Sequence, residues 1–247
     1  MANVQFSFKR YEKKYMLTSF QRDRLLEIIN GKIVKDKYGE SKICNIYYDT
    51  DDFSLIRKSI EKPVYKEKLR VRSYGVPDDE SDVFIEIKKK FDGIVYKRRI
   101  TASAAGVESI MSGGAIAYPG GQIAREIEYF ISFYDLSPKV FIAYDRTAYA
   151  GKDDGAVRIT FDKNIRFRTY DLDLRKGDKG RKILDSDLYL TEIKLPGVCP
   201  LWLSSALTQV GAKNVSFSKY GECYKKYILP EIFKKSNEIS KGELLGA

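Results

Sequence analysis

The feature that most constrains the fold is the alternation of charged and apolar residues along several short segments. In a β-strand, successive side chains point to opposite faces, so residues i and i+2 share a face. The segment Tyr65–Tyr74 places four cations on one face and apolar residues such as Leu69 and Val71 on the other. The cations are Lys66, Lys68, Arg70 and Arg72. Such a strand must bury one face and accommodate a strongly cationic one.

Four further segments repeat this alternation, within residues 84–90, 94–100, 156–162 and 188–195. Their charged faces carry Glu86, Lys88 and Lys90, then Lys97 and Arg99, then Arg158 and Asp162, and finally Glu192 and Lys194. An ordinary solvated face mixes Thr, Ser, Gln and Lys, whereas these faces are dominated by Arg, Lys and Glu. A solvated outer face is the ordinary explanation for one such strand, but it explains the whole set poorly.

Periodicity, caps and turn residues predict the other elements. Strands are predicted over residues 5–15, 43–48, 65–74, 83–90, 94–101, 139–150, 156–162, 165–169 and 188–195. Helices are predicted over residues 19–30, 102–112, 122–134, 200–210 and 219–235, with a short one after the capping residues 49–52.

Capping and turn residues predict where these elements begin and end. Thr18 is predicted to cap the first helix. Asp92-Gly93 predicts a tight hairpin, and Lys163-Asn164 predicts a turn between two strands. Residues 170–186 are predicted to form a mobile loop, and residues after about 236 a frayed end.

Together these elements predict a single α+β domain over residues 1–247, built as a closed antiparallel β-barrel. Helices between the strands must pack on apolar strand faces. If they cover the outside, the charged faces turn inward, and about eight strands enclose a tunnel just wide enough for side chains or one ligand. A dry interior of like charges would be prohibitively unstable, so water and a polyanion are expected to fill it. The inward Glu86 and Glu192 are then candidates to hold a divalent ion.

Charge balance and absent residue types narrow the function further. The net charge of +10 predicts an anionic partner: phosphates, nucleic acid or an anionic membrane. The chain has no histidine, which excludes Ser-His-Asp and Cys-His catalysis and favours carboxylate-bound Mg²⁺ or Mn²⁺. Cys44, Cys199 and Cys223 have neither disulfide nor zinc spacing. With no signal-peptide pattern and no apolar run of about 20 residues, a cytoplasmic protein is expected.

The charged strands and their flanking residues resemble the triphosphate tunnel (CYTH-like) superfamily, and more narrowly the VTC-type polyphosphate polymerase domain in its compact bacterial form. The resemblance runs from about residue 8 to about residue 227 and depends on the order and spacing of its motifs. These include Tyr47-Tyr48-Asp49-Thr50, Lys68-Leu69-Arg70-Val71-Arg72, Phe84-Ile85-Glu86-Ile87-Lys88, Lys97-Arg98-Arg99, Tyr144-Asp145-Arg146, Glu192-Ile193-Lys194 and Phe217-Ser218-Lys219-Tyr220.

This resemblance implies an ATP-dependent phosphotransferase that moves the γ-phosphoryl group onto a growing polyphosphate chain, with Mn²⁺ or Mg²⁺ as cofactor. It implies a metal ligand, Glu192, and further contacts from Lys194, Glu86 and Arg57, with Lys58 as the alternative to Arg57. Its implied partners are ATP, polyphosphate and a membrane or regulatory protein, with no nucleic acid; the oligomeric state stays open. The residues implied to grip phosphates are Lys14, Arg70, Arg72, Lys88, Lys97, Arg146, Arg158 and Lys219.

Two departures from the family's motifs keep other activities open. Hydrolytic relatives begin with Glu-x-Glu-x-Lys, where this chain has Arg10-x-Glu12-x-Lys14, which favours the polymerase branch. Polymerase members carry Lys-Phe-Ser-Lys near the end, where this chain has Ser216 in place of the first lysine. A metal-dependent tripolyphosphatase or nucleoside triphosphatase, and a non-catalytic polyphosphate or nucleic-acid binder, are therefore the alternative functions.

Overall fold

The computed structural model describes residues 11–92, 94–114, 121–234 and 238. Its strands are β1 Tyr11–Thr18, β2 Ile33–Asp49, β3 Tyr65–Tyr74, β4 Asp82–Phe91, β5 Ile94–Ser103, β6 Ser137–Gly151, β7 Arg158–Arg168, β8 Arg181–Lys182, β9 Leu188–Leu195 and β10 Lys213–Asn214. Its helices are α1 Ser19–Ile28, α2 Ser54–Ile60, α3 Val107–Met111, α4 Gln122–Tyr134, α5 Leu201–Gln209 and α6 Lys219–Cys223.

All strand pairs are antiparallel and belong to one sheet, in the order β10-β1-β9-β7-β6-β2-β3-β4-β5, with β8 paired to β7. The α+β class and the antiparallel sheet are as predicted. Among the described residues, however, no ladder of hydrogen bonds joins β5 to β1 or β10, so the predicted closed barrel is not confirmed. Two of the ten strands are only two residues long, which accounts for the prediction of about eight.

Two hydrophobic cores cover the outer face of this sheet. Helix α4 packs Ile127 and Phe130 against the outward residues of β3 and β4, such as Leu69 and Ile85. Helices α1 and α5 cover β1, β7 and β9 in the same way, through a second cluster that includes Leu25, Leu203, Ile159 and Ile193. Because the helices take the apolar faces, the charged faces of β1, β3, β4, β7 and β9 turn to the inside, as the alternation predicts.

A third core fills part of the interior itself. Helix α6 continues through a π-helical turn, Tyr224–Ile228, and packs its apolar residues against the inward faces of β2, β6 and β7. The inserted residues include Tyr220, Cys223, Tyr224 and Ile228. The interior is therefore part apolar and part charged, whereas the alternation predicts a charged interior throughout.

Most predicted elements are present, and the differences have local causes. Helix α4, β3 and β9 have the predicted bounds, and Thr18 caps α1 by accepting a hydrogen bond from the Gln21 amide. The predicted turn at Lys163-Asn164 is wrong, because β7 is one strand that carries a bulge opposite β6. Asn164 there has a φ of 51°, a conformation that asparagine tolerates in turns and bulges alike.

Three further predictions differ in extent. Strand β2 begins at Ile33, ten residues before the predicted start at Ile43. The predicted helix over 102–112 is reduced to α3, because β5 extends to Ser103. In place of a mobile loop, residues 170–186 contain a 3-10 turn and β8, and Arg168 holds the segment by donating to the carbonyls of Asp171, Asp173, Gly177 and Lys179.

Some predictions lie outside the described residues: the strand before Tyr11, Gly93 of the hairpin turn and the frayed end. The hairpin is confirmed by the pairing of Phe91 with Ile94 across that turn. In the part of the chain that the structure describes, no helix has both the length and the apolar composition to cross a bilayer.

Candidate functional site

The charged inner faces meet in register, so side chains from neighbouring strands stand in rows. Lys14 of β1 lies opposite Glu192 of β9, which in turn lies opposite Thr160 of β7. On the other half of the sheet, β3 and β4 pair residue by residue on the same face. Those rows are Lys66 with Lys90, Lys68 with Lys88, and Arg70 with Glu86. Cross-strand neighbours of this kind are about 5 Å apart at Cβ, so each row is a contact.

Glu86 organises one group of cations. Its side chain is 1% exposed, and both its carboxylate oxygens are paired. Arg70 approaches with Nε and Nη2, each 2.8 Å from Oε2, and Lys97 Nζ lies 2.6 Å from Oε1. Burial opposes ionisation, but the charges of Arg70, Arg72 and Lys97 lower the pKa of Glu86 to about 2. Glu86 is thus a permanent anion that positions its cations.

The two arginines of β3 are also fixed by neutral groups. Arg72 donates from Nε to Asn45 Oδ1 at 2.9 Å and from Nη2 to the Tyr144 hydroxyl at 3.3 Å. Arg70 donates from Nη1 to the Tyr47 hydroxyl at 3.2 Å. These bonds come from β2 and β6, the central strands, so the guanidinium planes are held by the most buried part of the sheet.

Asp162 of β7 organises the second group. Its carboxylate is fully buried, pairs with Arg146 and lies 2.6 Å from Lys219 Nζ. Burial raises the pKa of Asp162, but Lys219 and Arg146 outweigh it and the pKa is lowered. Burial likewise lowers the pKa of Lys219, yet Asp162 and Glu192 raise it overall. The group is therefore fully ionised.

Glu192 lies beside this group without a short contact. Its carboxylate oxygens are 3.5 Å from Lys14, from Arg146 and from Lys219. Burial raises the pKa of Glu192, but these three cations lower it well below its usual range. Glu192 is thus an ionised carboxylate whose oxygens make only long contacts with neighbouring cations.

Lys68 is the centre of a third group, in which the largest charges acting on the central side chain are those of other cations. Its ammonium donates to Ser218 Oγ at 3.1 Å and points into the interior beside other cations. Burial lowers its pKa, and the charges of Lys88, Lys66, Lys14 and Arg70 lower it further, to about 7. These neighbours raise the free energy of the charged lysine, so an anion placed among them would be strongly attracted.

The residues before α6 connect the two walls of the interior, which are formed by β1, β9 and β7 on one side and by β3, β4 and β5 on the other. The Val215 amide donates to the Lys14 carbonyl at 2.8 Å, which extends the pairing of β10 with β1. Lys14 Nζ donates to the Phe217 carbonyl at 2.8 Å. Ser218 then reaches Lys68 of β3 and, as the N-cap of α6, accepts from the Gly221 amide. This segment places Lys219 against Asp162 of the opposite wall.

The remaining predicted residues divide into two sets. Glu12 and Lys194 are cross-strand partners on the inner face, and burial lowers the pKa of Lys194. Arg158 is in register with Lys194 and pairs with Asp36 of β2. Arg57 differs from these, since it lies on α2 with 57% of its side chain exposed and pairs with Asp52 at 3.5 Å. The structure therefore assembles the predicted residues on the inner face apart from Arg57.

Carboxylates suited to a hard cation are few. Within the described ranges, no group of three or more His, Cys, Asp or Glu side chains could hold a metal ion. Glu12 and Glu192 share Lys14, at 3.6 and 3.5 Å. Burial raises the pKa of Glu12, but the charges of Lys88, Lys14 and Lys194 lower it below its usual value. One or two carboxylates suit an ion whose other ligands are phosphate oxygens and water.

Sequence reasoning missed several residues that shape this site. Asp162 and Lys68 are on predicted charged faces. The alternation of the strands does not show that Asp162 is the buried anion of one group, or that Lys68 is a cation whose neighbours are mostly cations. Asn45, Tyr144 and Asp36 lie on β2 and β6, whose inner faces are mostly apolar or neutral. Their partners become visible only when the register of the sheet is known.

The interior can therefore bind an extended polyanion. It presents guanidinium forks at Arg70, Arg72 and Arg146, and point charges at Lys14, Lys68, Lys88 and Lys97, on walls that face one another. Arg forks match two oxygens of one phosphate, while lysines add charge without fixed geometry. These cations can neutralise the charge of a bound anion and position its oxygens.

Comparison with known proteins gives a family for this arrangement. The model of the VTC domain family matches residues 9–228, which includes every group described above. Two curated relatives are named vacuolar transporter chaperone complex subunit 4. The relative from Schizosaccharomyces pombe is 25% identical over 168 residues, 58% of this chain and 23% of that protein. The relative from Trypanosoma brucei brucei is 26% identical over 163 residues, 54% of this chain and 21% of that protein.

A solved structure supports the fold. A candidate adenylate cyclase from Bacillus halodurans superposes with a TM-score of 0.50 at 15% identity, covering 84% of this chain and 92% of that one. The aligned region is less than a quarter of the length of the two curated relatives.

Proposed function

The chain belongs to the VTC domain family, and we propose that it is a metal-dependent phosphotransferase that moves the γ-phosphoryl group of ATP onto the end of a polyphosphate chain. The observation that carries this proposal is the environment of Lys68. Its ammonium is surrounded by Lys14, Lys66, Lys88 and Arg70, and it donates a hydrogen bond to a neutral hydroxyl, that of Ser218. A bound chain of phosphates supplies the negative charge that this arrangement lacks.

Several features favour phosphate over other anions. Arg70, Arg72 and Arg146 are held rigidly by carboxylates and hydroxyls, so their remaining N–H groups are preorganised for tetrahedral oxyanions. The carboxylates Glu86 and Asp162 lie among the cations of the interior. An open surface that binds nucleic acid would avoid such carboxylates, because they repel phosphates. The family model's match, residues 9–228, spans all of these residues.

The proposed transfer is a displacement at phosphorus. A terminal oxygen of the phosphate chain attacks the γ-phosphorus of ATP, and the bond from that phosphorus to the β–γ bridging oxygen breaks. ADP leaves with the bonding electron pair, and the chain gains one phosphate. The acceptor oxygen is already ionised at neutral pH, so no general base is required, in keeping with the absence of histidine.

Each predicted residue has a role in this scheme. Arg70, Arg72 and Lys97, set by Glu86, would bind the triphosphate and offset charge on the transferred group. Arg146 and Lys219, set by Asp162, would do so from the opposite wall. The acceptor chain would be held by Lys14, Lys88, Arg158 and Lys194, and Arg57 would act at the exposed rim.

Mn²⁺ or Mg²⁺ fits the donor set of this interior. Glu192 is the ligand we propose, because its carboxylate is ionised and contacts its cationic neighbours only at 3.5 Å. Glu12 contacts the same Lys14 ammonium at 3.6 Å and is the second candidate ligand. When bound, such an ion would neutralise the charge that develops on the transferred phosphoryl group.

The partners follow from the same proposal. ATP and polyphosphate are the substrates. Because two relatives are named as subunits of a vacuolar transporter chaperone complex, we propose that a membrane or regulatory protein receives or controls the product.

Incubation with ATP and Mn²⁺ tests the proposal, with products resolved on a gel for phosphate chains and assayed for free phosphate. We expect long chains from the wild type and none from Arg72→Ala. Free phosphate without chains would make the protein a triphosphatase that uses water as the acceptor. Neither product, with retained binding of polyphosphate, would make it a binder.

A further inference from the structure

The rows of lysines on β3 and β4 continue beyond the groups assigned above and end at a cavity. The row after Lys68 and Lys88 is Lys66 with Lys90, again two cations directly opposite one another. Like charges in this position destabilise a strand pair. Two successive rows of this kind repel each other, and a bound anion would relieve that repulsion, although Lys66 Nζ also donates to the Ser59 carbonyl at 3.2 Å.

The cavity has a volume of about 340 Å³. Lys62, Lys66 and Lys90 line it, together with Asp92 and Ser216. Its cations outnumber its single carboxylate. Burial lowers the pKa of Lys66, and Lys90, Lys62, Lys88 and Lys14 lower it further, so this cavity and the Lys68 group share one electrostatic field.

We infer that this cavity is a binding subsite for phosphate chains longer than a triphosphate, through which the distal part of the chain leaves the interior. The inference rests on the proposed function and specifies how that site takes its substrate. From Arg70 to Lys66 is four residues of strand, about 13 Å, which a string of phosphates spans and a single phosphate group does not. The lysine rows provide a continuous track over that distance.

A polyphosphate chain fits this cavity better than single-stranded RNA does. Proteins that bind single strands stack bases on aromatic rings. Among the described residues that line the cavity there is no aromatic side chain, and the apolar ones are Pro63 and Val64. A cavity lined by lysines and without aromatic rings among its described residues favours a flexible ligand of high charge density over a ligand with bases to stack.

The test measures binding without ATP, so it is independent of catalysis. The triple variant Lys62→Gln, Lys66→Gln, Lys90→Gln is titrated by calorimetry with tripolyphosphate and with a polyphosphate of defined length, well above ten phosphates. We expect the ratio of long-chain affinity to tripolyphosphate affinity to fall roughly tenfold, since three partly exposed charge contacts are lost. The dependence of long-chain affinity on salt should weaken as well.

Two further variants accompany this one: the first is a control for the loss of charge, and the second adds a charge to the cavity. Lys13→Gln, Lys32→Gln, Lys152→Gln removes the same charge from exposed positions elsewhere and should leave the ratio unchanged. Ser216→Lys adds an ammonium to the cavity wall and should raise the ratio. Circular dichroism melting of each variant checks that the fold is intact.

The outcomes separate this inference from the proposed function. An unchanged ratio in the cavity variant, or an equal fall in the control, would overturn the inference, as would equal competition by single-stranded RNA at matched phosphate concentration. A wild type that binds long chains through this cavity but transfers no phosphate would refute only the polymerase. A wild type that prefers no long chain would refute the inference by itself.

Discussion

The Arg146 guanidinium donates two hydrogen bonds to the buried Asp162 carboxylate, from Nε to Oδ1 at 2.6 Å and from Nη2 to Oδ2 at 2.7 Å. The two residues face each other across β6 and β7, and Lys219 of α6 approaches the same carboxylate at 2.6 Å. One anion thus fixes cations from two separate elements. A bidentate pair of this kind sets the plane of the guanidinium as well as its position.

Asp162→Asn should therefore destabilise the fold by about 3 kcal/mol, because two cations lose the anion that offsets them in a buried site. Urea unfolding followed by circular dichroism measures the change. Asp153→Asn removes an exposed carboxylate and should have little effect. Equal stability of Asp162→Asn and the wild type would show that Asp162 does not neutralise this group.

Arg72→Ala should lower the rate of phosphoryl transfer by roughly 100-fold or more while the protein remains folded. Arg72 is not the main partner of Glu86, which keeps Arg70 and Lys97, so the charge balance of that group survives. Arg72→Lys should recover little, since a point charge cannot reproduce a fork held by Asn45 and Tyr144. Activity of Arg72→Ala near that of the wild type would remove this residue from the mechanism.

Phosphate-chain affinity should fall as pH rises from about 6 to about 9. Without ligand, Lys68 has a pKa of about 7 and Lys97 of about 8, and a bound anion favours the charged form of both. Below pH 6 both are already charged, whereas above pH 8 binding must take up protons. Calorimetry at several pH values measures this dependence.

Lys68→Arg supplies the control for that pH dependence, because arginine stays charged throughout the range. The variant should bind with a weaker pH dependence between pH 6 and 8. An unchanged pH profile would mean that Lys68 does not titrate in the free protein or does not meet the ligand.

Glu192→Gln should raise the Mn²⁺ concentration needed for half-maximal activity at least tenfold, because the variant loses the ionised carboxylate proposed as the ligand. Glu222→Gln is the matched control, since Glu222 pairs with Lys225 and Lys226 on the same helix. Activity is measured against Mn²⁺ and Mg²⁺ separately. Identical metal titrations for Glu192→Gln and the wild type would assign the ion to other ligands.

The alternation of charge along the strands predicted which side of the sheet carries the residues of the candidate site. Lys68, Arg70 and Arg72 lie inward because helices such as α4 need the opposite, apolar face. This part of the fold follows from strand geometry and burial alone, so local sequence is enough to predict it.

Other features depend on long-range packing and could not be predicted in this way. The residues Tyr220, Tyr224 and Ile228 have the spacing of an ordinary amphipathic helix, which does not reveal that α6 lies inside the sheet. The bulge at Asn164 carries the same signal as a turn, and only the pairing of β6 with β7 distinguishes them. Closure of the barrel depends on the pairing of strand edges, which residue alternation does not report.

Transfer of label from ATP tests the central claim most directly. The protein is incubated with Mn²⁺, a short polyphosphate and ATP labelled with ³²P at either the γ or the α position, and the chains are resolved by length. The account predicts that γ label enters chains longer than the primer, that α label does not, and that Arg72→Ala abolishes the signal. Appearance of the γ label only as free phosphate, with no labelled chains, would contradict it.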